Sequence, residues 1–256
     1  KVGCDAVKFQ LFKIEKLFSA EILENSKQHR DRKQWELPLD FVPLLSNRCK
    51  EKGIQFSCTP FYLDAVNELE SYVDFYKIAS YELLWDQLLI ACARTGKPVI
   101  ISTGMANLGE IKHAVKVLRN NNCEPIVLHC TSAYPTPYKE ANLSAIETIR
   151  KSTGCEAGWS DHTVDPGVVH RAIHKWDARV IEFHLDLEGK GEEFESGHCW
   201  LPDQIGSVIK QVRHAEDADG DGIKEPVPSE MSDRLWRTDP SDGLRPFKSI
   251  RNTFSP

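Results

Sequence analysis

Short apolar runs alternate with amphipathic stretches at a regular interval along most of this sequence. Parallel strands that are each followed by a crossover helix give such a pattern, because these strands are buried on both faces. Seven runs are predicted to be strands: Ala6–Gln10, Ile54–Cys58, Phe75–Ile78, Pro98–Ser102, Ile126–Cys130, Glu156–Ser160 and Arg179–His184. The pattern predicts an α/β fold of the (β/α)8 TIM-barrel type, for which 256 residues is a suitable length. Since a closed barrel needs one more strand, we expect its first strand to lie upstream of Lys1.

The amphipathic stretches between these runs are predicted to be helices. They are Asp40–Lys52, Tyr62–Ser71, Leu84–Arg94, Leu108–Asn120, Glu140–Lys151, Val164–Lys175 and Pro202–His214. The mostly polar segment from Phe12 to Leu39 is predicted to be a loop. Beyond residue 214 the apolar periodicity fades and prolines recur, which is typical of an extended linker. The sequence therefore predicts a barrel domain over residues 1–214 and a linker or tail over residues 215–256.

Charge and composition narrow the class of partners. The net charge of -6 argues against a nucleic-acid-binding surface, which needs clustered Lys and Arg. No apolar run reaches the length of about 18 residues that a membrane span requires, so no membrane partner is expected. The eight cysteines form no Cys-x-x-Cys pair, and several lie in apolar runs where free thiols pack. We expect reduced thiols and a cytoplasmic protein.

Two lysines interrupt otherwise apolar strands near their carboxyl ends, where the loops of a parallel barrel converge. Lys8 and Lys77 are costly to bury without a counter-charge. Hydroxyl side chains occupy neighbouring strand ends: Ser80, Ser102 and Ser160. Together these groups predict a site for a bound phosphate or carboxylate. The alternative is that each lysine pairs with a carboxylate of the barrel itself, such as Glu82 or Glu182.

Two histidines end consecutive predicted strands. His162 and His184 are 22 positions apart in the sequence, so a barrel would place them side by side over one pocket. Neutral imidazoles so placed are good ligands for manganese, iron or zinc. Asp161 and Glu182 are predicted to orient the imidazole rings as hydrogen-bond partners. The alternative is that each histidine only packs or makes hydrogen bonds, as single strand-end histidines commonly do.

Six segments, in their order and spacing, resemble the N-acetylneuraminate (sialic acid) synthase family. They are Gly3–Phe12, Phe56–Phe61, Lys77–Glu82, Ile101–Met105, His129–Pro137 and Gly158–Thr163. The resemblance extends to about residue 214. It implies a phosphoenolpyruvate-dependent synthase of nonulosonic acids, with a small antifreeze-like domain after the barrel and a domain-swapped homodimer.

The resemblance also implies roles for particular residues. The phosphoenolpyruvate-binding positions match Lys8, Lys77, Ser80, Ser102 and Ser160, and the metal ligands match His162 and His184. Tyr134 and Glu82 match positions near the amino sugar, and with the two lysines they form the predicted catalytic set. Thr131 and Ser132, which follow the same strand as Tyr134, are assigned to substrate binding. The implied cofactor is a divalent metal, Mn2+ by expectation, with Mg2+ or Co2+ as alternatives.

The implied reaction condenses phosphoenolpyruvate with an N-acetylmannosamine-type 2-acetamido sugar, giving a nine-carbon acid and phosphate. This sequence departs from the family pattern at three places. The first-strand glutamate of the family would lie upstream of Lys1, Ser132 replaces an asparagine, and Gly197-His198 replaces an Asp-His pair. The last two departures suggest an altered sugar pocket, suited equally to a legionaminic or pseudaminic type of product. Other pyruvate or phosphoenolpyruvate aldolases, including a Schiff-base enzyme using Lys77, and a non-catalytic sugar-binding barrel are the alternatives.

Overall fold

Eight parallel strands form one sheet in the computed structural model, which describes residues 2–254. The strands are β1 Ala6–Leu11, β2 Gln55–Pro60, β3 Phe75–Ile78, β4 Val99–Ser102, β5 Ile126–Cys130, β6 Ala157–Asp161, β7 Ile181–Leu185 and β8 Cys199–Trp200. Each strand pairs with the next one along the chain, so the sheet order is β1 to β8. The predicted α/β class with parallel strands is confirmed.

The seven predicted strands are all present, and their ends differ from the prediction by no more than two residues. The count of seven was wrong, however, because Cys199–Trp200 adds an eighth strand beside β7. Two residues are too few to show a strand periodicity in the sequence. Within the described residues, β1 and β8 do not pair with each other.

Helices alternate with the strands and continue beyond the last strand. The α-helices are α1 Ile14–Leu17, α2 Ala20–Asn25, α3 Lys27–Asp31, α4 Phe41–Lys52, α5 Leu63–Glu70, α6 Asp86–Arg94, α7 Leu108–Arg119, α8 Ala145–Thr153, α9 Pro166–Trp176, α10 Glu192–Glu195, α11 Pro202–Asp219, α12 Met231–Arg234 and α13 Lys248–Arg251. Short 3-10 helices lie at Arg32–Trp35, Ser80–Glu82, Tyr138–Glu140, Pro228–Glu230 and Asn252–Phe254. Among residues 2–254, no helix combines the length and the apolar character needed to cross a membrane.

The prediction of a loop between Phe12 and Leu39 was wrong. The helices α1, α2 and α3 and the first 3-10 helix occupy most of this segment. Ile14 is the buried residue of these four elements, and the rest of their side chains are half-buried or exposed. Because so few apolar side chains are buried, the segment lacks the 3.6-residue periodicity that identifies helices in a sequence.

The main hydrophobic core lies between the sheet and helices α4 to α9. Its fully buried members include Tyr76 and Trp159 on the strands and Leu89 and Leu118 on the helices. Helix α7 begins as predicted at Leu108, and the side chain of Asn107 just before it accepts hydrogen bonds from the backbone in a capping box with Glu110. The seven cysteines from Cys49 to Cys199 are free thiols, and all seven are buried.

The chain divides into two compact units, residues 1–212 and residues 213–256. In the second unit the Asp239 carboxylate accepts hydrogen bonds from the Ser241 hydroxyl (2.6 Å) and the Lys248 backbone (2.8 Å). Asp242 pairs with the guanidinium of Arg251. The domain boundary at residue 214 and the linker character of residues 215–256 stay predictions. Lys1, Ser255 and Pro256 of the predicted ranges lie outside the described residues.

The sheet of the first unit curls strongly. Lys8 on β1 lies 3.5 Å from the carboxylate of Glu182 on β7, although these strands are far apart in the sheet order. The register places Cys130, Ser160 and Glu182 side by side on β5, β6 and β7. Polar side chains from both ends of the strand order therefore meet over the inside of the sheet, near the carboxyl ends of the strands.

A fully buried carboxylate ties the short strand β8 to β6. Asp161 accepts hydrogen bonds from the indole nitrogens of Trp159 (3.0 Å) and Trp200 (2.9 Å) and from the Thr163 hydroxyl (2.7 Å). Trp200 also belongs to a second small core with Val169, Ile205 and Val208. Asp161 therefore adds to the ladder with β7 and to this second core in holding β8 at the edge of the sheet.

We expect Asp161→Ala to lower the free energy of unfolding by at least about 3 kcal/mol, since two buried indole N–H groups each lose an acceptor. Urea titrations followed by tryptophan fluorescence would measure the loss. The control is Asp165→Ala, which removes only the hydrogen bond that caps helix α9 at Val168 and should cost about 1 kcal/mol. Equal losses in the two variants would contradict the role given to Asp161.

Candidate active site

The carboxylate of Glu182 lies between the two lysines predicted to bind an anion. Lys8 Nζ is 3.5 Å from Oε1, and Lys77 Nζ is 3.3 Å from Oε2. Lys77 is only 4% exposed, so its ammonium group has little access to water. The sequence left open whether the lysines face a bound anion or pair with a carboxylate of the barrel. In this structure they pair with a carboxylate of the barrel. The carboxylate is that of Glu182.

Two predicted phosphate-binding hydroxyls point at the same carboxylate. Ser160 Oγ donates to Oε2 of Glu182 at 2.8 Å, and Ser102 Oγ lies 3.4 Å from that oxygen. Burial disfavours the ionised form of Glu182, but the charges of Lys77 and Lys8 outweigh burial and hold the pKa of this carboxyl well below its usual range. An ionised carboxylate thus occupies the place where two lysines and two hydroxyls converge.

A second pair of hydroxyls, those of Ser80 and Ser132, flanks Gly104. The Gly104 backbone N–H donates to Ser80 Oγ at 2.9 Å, and a Cβ atom at position 104 would lie only 2.1 Å from Ser132 Oγ. Any larger residue at 104 would therefore displace Ser132. The Ser132 hydroxyl is buried and has no hydrogen-bond partner in the protein. A buried hydroxyl without a partner is costly, and a ligand group would satisfy it.

Glu82 is a second buried group with an unsatisfied atom. It belongs to the 3-10 helix that follows β3, is 9% exposed, and its Oε2 has no hydrogen-bond partner. Burial raises the pKa of this carboxyl to about 7, although a backbone hydrogen bond and Lys77 act in the opposite direction. A carboxyl group that titrates near neutral pH can both give and take a proton.

Thr131 does not direct its hydroxyl into the pocket. Its Oγ1 donates to the backbone carbonyl of Glu140 at 3.0 Å. The backbone carbonyl of Thr131 instead lies 2.9 Å from Nδ1 of His162, which fixes the orientation of that ring. Because this contact uses the proton on Nδ1, the lone pair of a neutral His162 lies on Nε2. The predicted role of Thr131 in substrate binding has no contact in the structure to support it.

Three histidines surround the ring of Tyr134. The ring centroids of His162, His184 and His198 lie 4.3, 6.0 and 5.0 Å from that of Tyr134. The predicted pair, His162 and His184, has centroids 5.2 Å apart, as expected for the ends of adjacent strands. His198 is nearer still to His184, at 4.7 Å. In the sequence His198 stands out only as a departure from a family pattern, and its place in the site was not predicted.

The prediction that Asp161 and Glu182 orient the imidazole rings was wrong. Asp161 binds the two indole groups and Thr163, and Glu182 binds the lysines and Ser160. The partner of the His162 ring is a backbone carbonyl, which no side-chain pattern in the sequence can indicate.

The donor set at the histidine cluster fits a divalent transition metal. Burial lowers the pKa of His162, and burial followed by the charge of Lys8 lowers the pKa of His184 to about 3. Both imidazoles are therefore neutral near pH 7 and keep a lone pair for a metal. His162 and His184 would hold such an ion beside Tyr134.

Fold and site together define a class: a parallel α/β sheet protein with two lysines around a buried carboxylate and a histidine cluster at the carboxyl ends of its strands. The family model of the NeuB family matches residues 1–224. The chain belongs to the NeuB family.

Relatives and solved structures agree with this assignment. An uncharacterized protein of Methanocaldococcus jannaschii is 38% identical over 90% of this chain and 67% of its own length. The N,N'-diacetyllegionaminic acid synthase of Campylobacter jejuni is 33% identical over 90% of this chain and 72% of its own. The crystal structure of N-acetylneuraminic acid (sialic acid) synthetase from Leptospira borgpetersenii superposes with a TM-score of 0.77 at 29% identity, covering 94% of this chain and 83% of that one.

We expect Glu182→Gln to lower the free energy of unfolding by about 3 kcal/mol, because it leaves two lysines without their counter-charge. Inorganic phosphate should raise the melting temperature of the variant more than that of the parent, since the anion supplies the missing charge. Thermal unfolding with and without phosphate measures both effects.

The control for this experiment is Glu147→Gln, which removes the largely exposed partner of Lys151 at 2.7 Å. An exposed pair of this kind contributes at most about 0.5 kcal/mol. Equal phosphate-induced shifts in the parent and in Glu182→Gln would contradict the role given to Glu182.

Glu82→Gln should stabilise the protein in a pH-dependent way. Since the pKa of Glu82 is raised to about 7, its contribution to stability is present below the unfolded-state value of 4.5 and is lost as the pH rises through 7. The advantage of the variant should grow from near zero at pH 4.5 to about 3 kcal/mol at pH 8. Urea titrations at the two pH values test this, with Glu140→Gln as an exposed control. A pH-independent difference would contradict it.

Proposed function

We propose that this protein condenses phosphoenolpyruvate with an N-acetylmannosamine-type amino sugar and releases a nine-carbon nonulosonic acid and phosphate. The observation that carries the proposal is the meeting of Lys8 and Lys77 with the histidine cluster at one end of the sheet, in a NeuB family chain. The named relatives that support it are synthases of legionaminic, pseudaminic and N-acetylneuraminate-9-phosphate products.

The cationic pocket suits the charges of phosphoenolpyruvate. Its phosphate and carboxylate would take over the lysine contacts now made by Glu182, with hydroxyls of Ser80, Ser102 and Ser160 as further donors. The unpartnered hydroxyl of Ser132 supplies one more. Positively charged groups fixed before the substrate arrives stabilise developing negative charge without reorganisation. The lysines are therefore proposed both to bind the substrate and to assist the departure of phosphate.

In the proposed reaction, C3 of phosphoenolpyruvate attacks the open-chain aldehyde carbon of the sugar and a C–C bond forms. The π electrons of the aldehyde pass to its oxygen, which takes up a proton. Water adds at C2 and gives one proton to a base. It loses the second as the C2–O bond to phosphate breaks, which leaves a C2 ketone and inorganic phosphate. Glu82 is proposed as a proton-transferring group, because its pKa of about 7 lets it exchange protons at neutral pH. Tyr134 is proposed to contact the sugar, since its exposed ring covers the histidines.

We propose that His162 and His184 hold a divalent metal, with Mn2+ the ion that the family resemblance implies and Mg2+ or Co2+ as alternatives. Such an ion supplies Lewis-acid polarisation of the sugar aldehyde. The two neutral, buried imidazoles support the proposal. We also propose that the sheet belongs to a closed barrel, that two copies form a homodimer, and that the protein acts in the cytoplasm.

The test is an assay of phosphate release from phosphoenolpyruvate with a panel of 2-acetamido and 2,4-diacetamido sugars and a divalent metal. We expect release with at least one sugar, and a loss of at least about 100-fold in Lys77→Met, which removes a charge that stabilises the transition state. The control is Lys116→Met, an exposed position on α7. No phosphate release with any sugar would favour a non-catalytic sugar-binding protein.

A different result is expected if the protein is a Schiff-base aldolase. Borohydride added together with pyruvate would then attach a three-carbon acid to Lys77, and the mass of the peptide that contains Lys77 would increase accordingly. Burial lowers the pKa of Lys77, as a Schiff-base lysine requires, whereas the contact with Glu182 favours the protonated form, which is not a nucleophile. Labelling of Lys77 would overturn the phosphoenolpyruvate proposal.

A further inference from the structure

Thr136 is a buried residue in the short segment that follows β5. This segment, residues 131–136, has no helix or strand, and it carries Tyr134, the side chain proposed to contact the sugar. Thr136 is 3% exposed, whereas residues 131–135 are half-buried or exposed. A segment without the hydrogen bonds of a helix or strand needs other contacts to keep one conformation. The contacts of Thr136 are placed to supply them.

The hydroxyl of Thr136 closes the segment on itself. Thr136 Oγ1 donates to the backbone carbonyls of Thr131, at 3.1 Å, and Ala133, at 3.0 Å. The hydroxyl has one proton, which the two acceptors share. Since Tyr134 lies between these acceptors and Thr136 in the sequence, the hydroxyl bridges the two ends of the turn that carries the Tyr134 ring.

The backbone of the same segment is attached to His162. The Thr136 N–H donates to the backbone carbonyl of His162 at 3.0 Å. In the opposite direction, Nδ1 of His162 donates to the backbone carbonyl of Thr131 at 2.9 Å, because a carbonyl oxygen can only accept. Thr131, Thr136 and His162 therefore form a closed ring of three hydrogen bonds.

The ring of Tyr134 packs against the imidazole that this hydrogen-bond ring holds. The centroids of Tyr134 and His162 are 4.3 Å apart, and their planes are inclined by 41°. Tyr134 is 42% exposed, so its ring has protein on one face and space for a ligand on the other. A shift of the segment would move the Tyr134 ring and change the orientation of His162 together.

We propose that Thr136 is a positioning residue for the amino sugar, which holds Tyr134 against His162 in the orientation that binds the sugar. The inference rests on the proposed function, because it takes Tyr134 and His162 as groups that meet the sugar. Thr136 acts through these two residues, since its own hydrogen bonds go to Thr131, Ala133 and His162. A displacement of about 1 Å in a positioned group costs up to about 100-fold in rate.

The lysine pocket is held by other contacts. Lys8, Lys77 and Glu182 lie on β1, β3 and β7 and contact one another. Ser132 is the proposed phosphoenolpyruvate donor that belongs to the segment, and weakening one neutral hydrogen bond changes affinity by about threefold. Loss of the Thr136 hydroxyl should therefore affect the sugar much more than phosphoenolpyruvate.

The experiment compares the parent with Thr136→Val and Thr136→Ser by calorimetric titration. Valine keeps the shape of threonine without the hydroxyl, whereas serine keeps the hydroxyl. The 2-acetamido and 2,4-diacetamido sugars are titrated with inorganic phosphate and a divalent metal present, and the sugar that the parent binds most tightly is used for the variants. Phosphoenolpyruvate is titrated without sugar.

We expect Thr136→Val to weaken sugar binding at least about tenfold and phosphoenolpyruvate binding no more than about threefold. Thr136→Ser should bind the sugar within about threefold of the parent, because its hydroxyl can make the same hydrogen bonds. In a Tyr134→Ala background, Thr136→Val should weaken sugar binding by a smaller factor than in the parent, since part of its effect passes through Tyr134.

Thr153→Val is the matched control. Thr153 on α8 is also buried, and its hydroxyl also donates to a backbone carbonyl, that of Ile149 at 2.8 Å. This variant should lower the melting temperature about as much as Thr136→Val does, because each loses one buried hydroxyl. Both affinities should stay at the parent value.

Equal losses of sugar and phosphoenolpyruvate affinity in Thr136→Val would overturn the inference, since a general loosening of the fold affects both. Unchanged sugar affinity in Thr136→Val, equal weakening in Thr136→Ser, or absence of sugar binding by the parent would overturn it too. If circular dichroism shows that Thr136→Val does not fold, Thr136→Ala takes its place, and failure of both to fold decides against the inference. Sugar binding without phosphate release contradicts the proposed function, while the titrations still decide on Thr136.

Discussion

One carboxylate held between two ammonium groups organises the site. Glu182 on β7 contacts Lys8 on β1 and Lys77 on β3, so three strands that are not neighbours are joined through one side chain. Moving these three charged groups out of water costs free energy, so the two Lys–Glu182 contacts add little net stability compared with apolar residues of similar size. Its effect is on geometry: the curled sheet is the arrangement in which both lysines reach a counter-charge. The hydroxyls of Ser160 and Ser102 then complete the shell of that same carboxylate.

The anion pocket and the histidine cluster are electrostatically connected. The charge of Lys8 is, after burial, the largest cause of the low pKa of His184. Neutralising Lys8 by an incoming dianion would weaken that effect, and by reciprocity a cation at the histidines would strengthen anion binding at the lysines. The lysine pocket and the histidine cluster, which are separate in the sequence, are thus electrostatically coupled in the structure. The arrangement suits a reaction that brings an anionic substrate next to a neutral, polarisable one.

The sequence was sufficient for the elements with a strong pattern. Seven strands, helices α4 to α9 and helix α11 showed clear apolar periodicity, whereas the four-residue helices α10, α12 and α13 are too short to show one and were not predicted. Buried lysines such as Lys8 and Lys77 stand out because their neighbours are apolar. The sequence could not choose between Glu82 and Glu182 as the counter-charge, since both follow apolar strands and only the curl of the sheet decides. The family resemblance supplied the roles of His162 and His184, which the pair alone left open.

The elements and contacts that were not predicted from the sequence were missed for physical reasons. Strand β8 is two residues long, and helices α1 to α3 bury too little apolar surface to leave a period. The hydroxyl of Thr131 turns to a backbone carbonyl, and the ring of His162 is fixed by another, and backbone partners leave no trace in side-chain patterns. His198 joined the site through its turn before β8, a feature visible only in three dimensions.

The two-residue strand β8 also has a consequence for dynamics. Its attachment rests on a short ladder with β7 and on the indole of Trp200 bound to Asp161, so this edge belongs to the part of the fold that opens first in local unfolding. Cys199 and His198 move with it. The rate of hydrogen exchange of the backbone amides in β8 therefore reports the free energy of local opening at the histidine end of the site. This measurement does not require a catalytic assay.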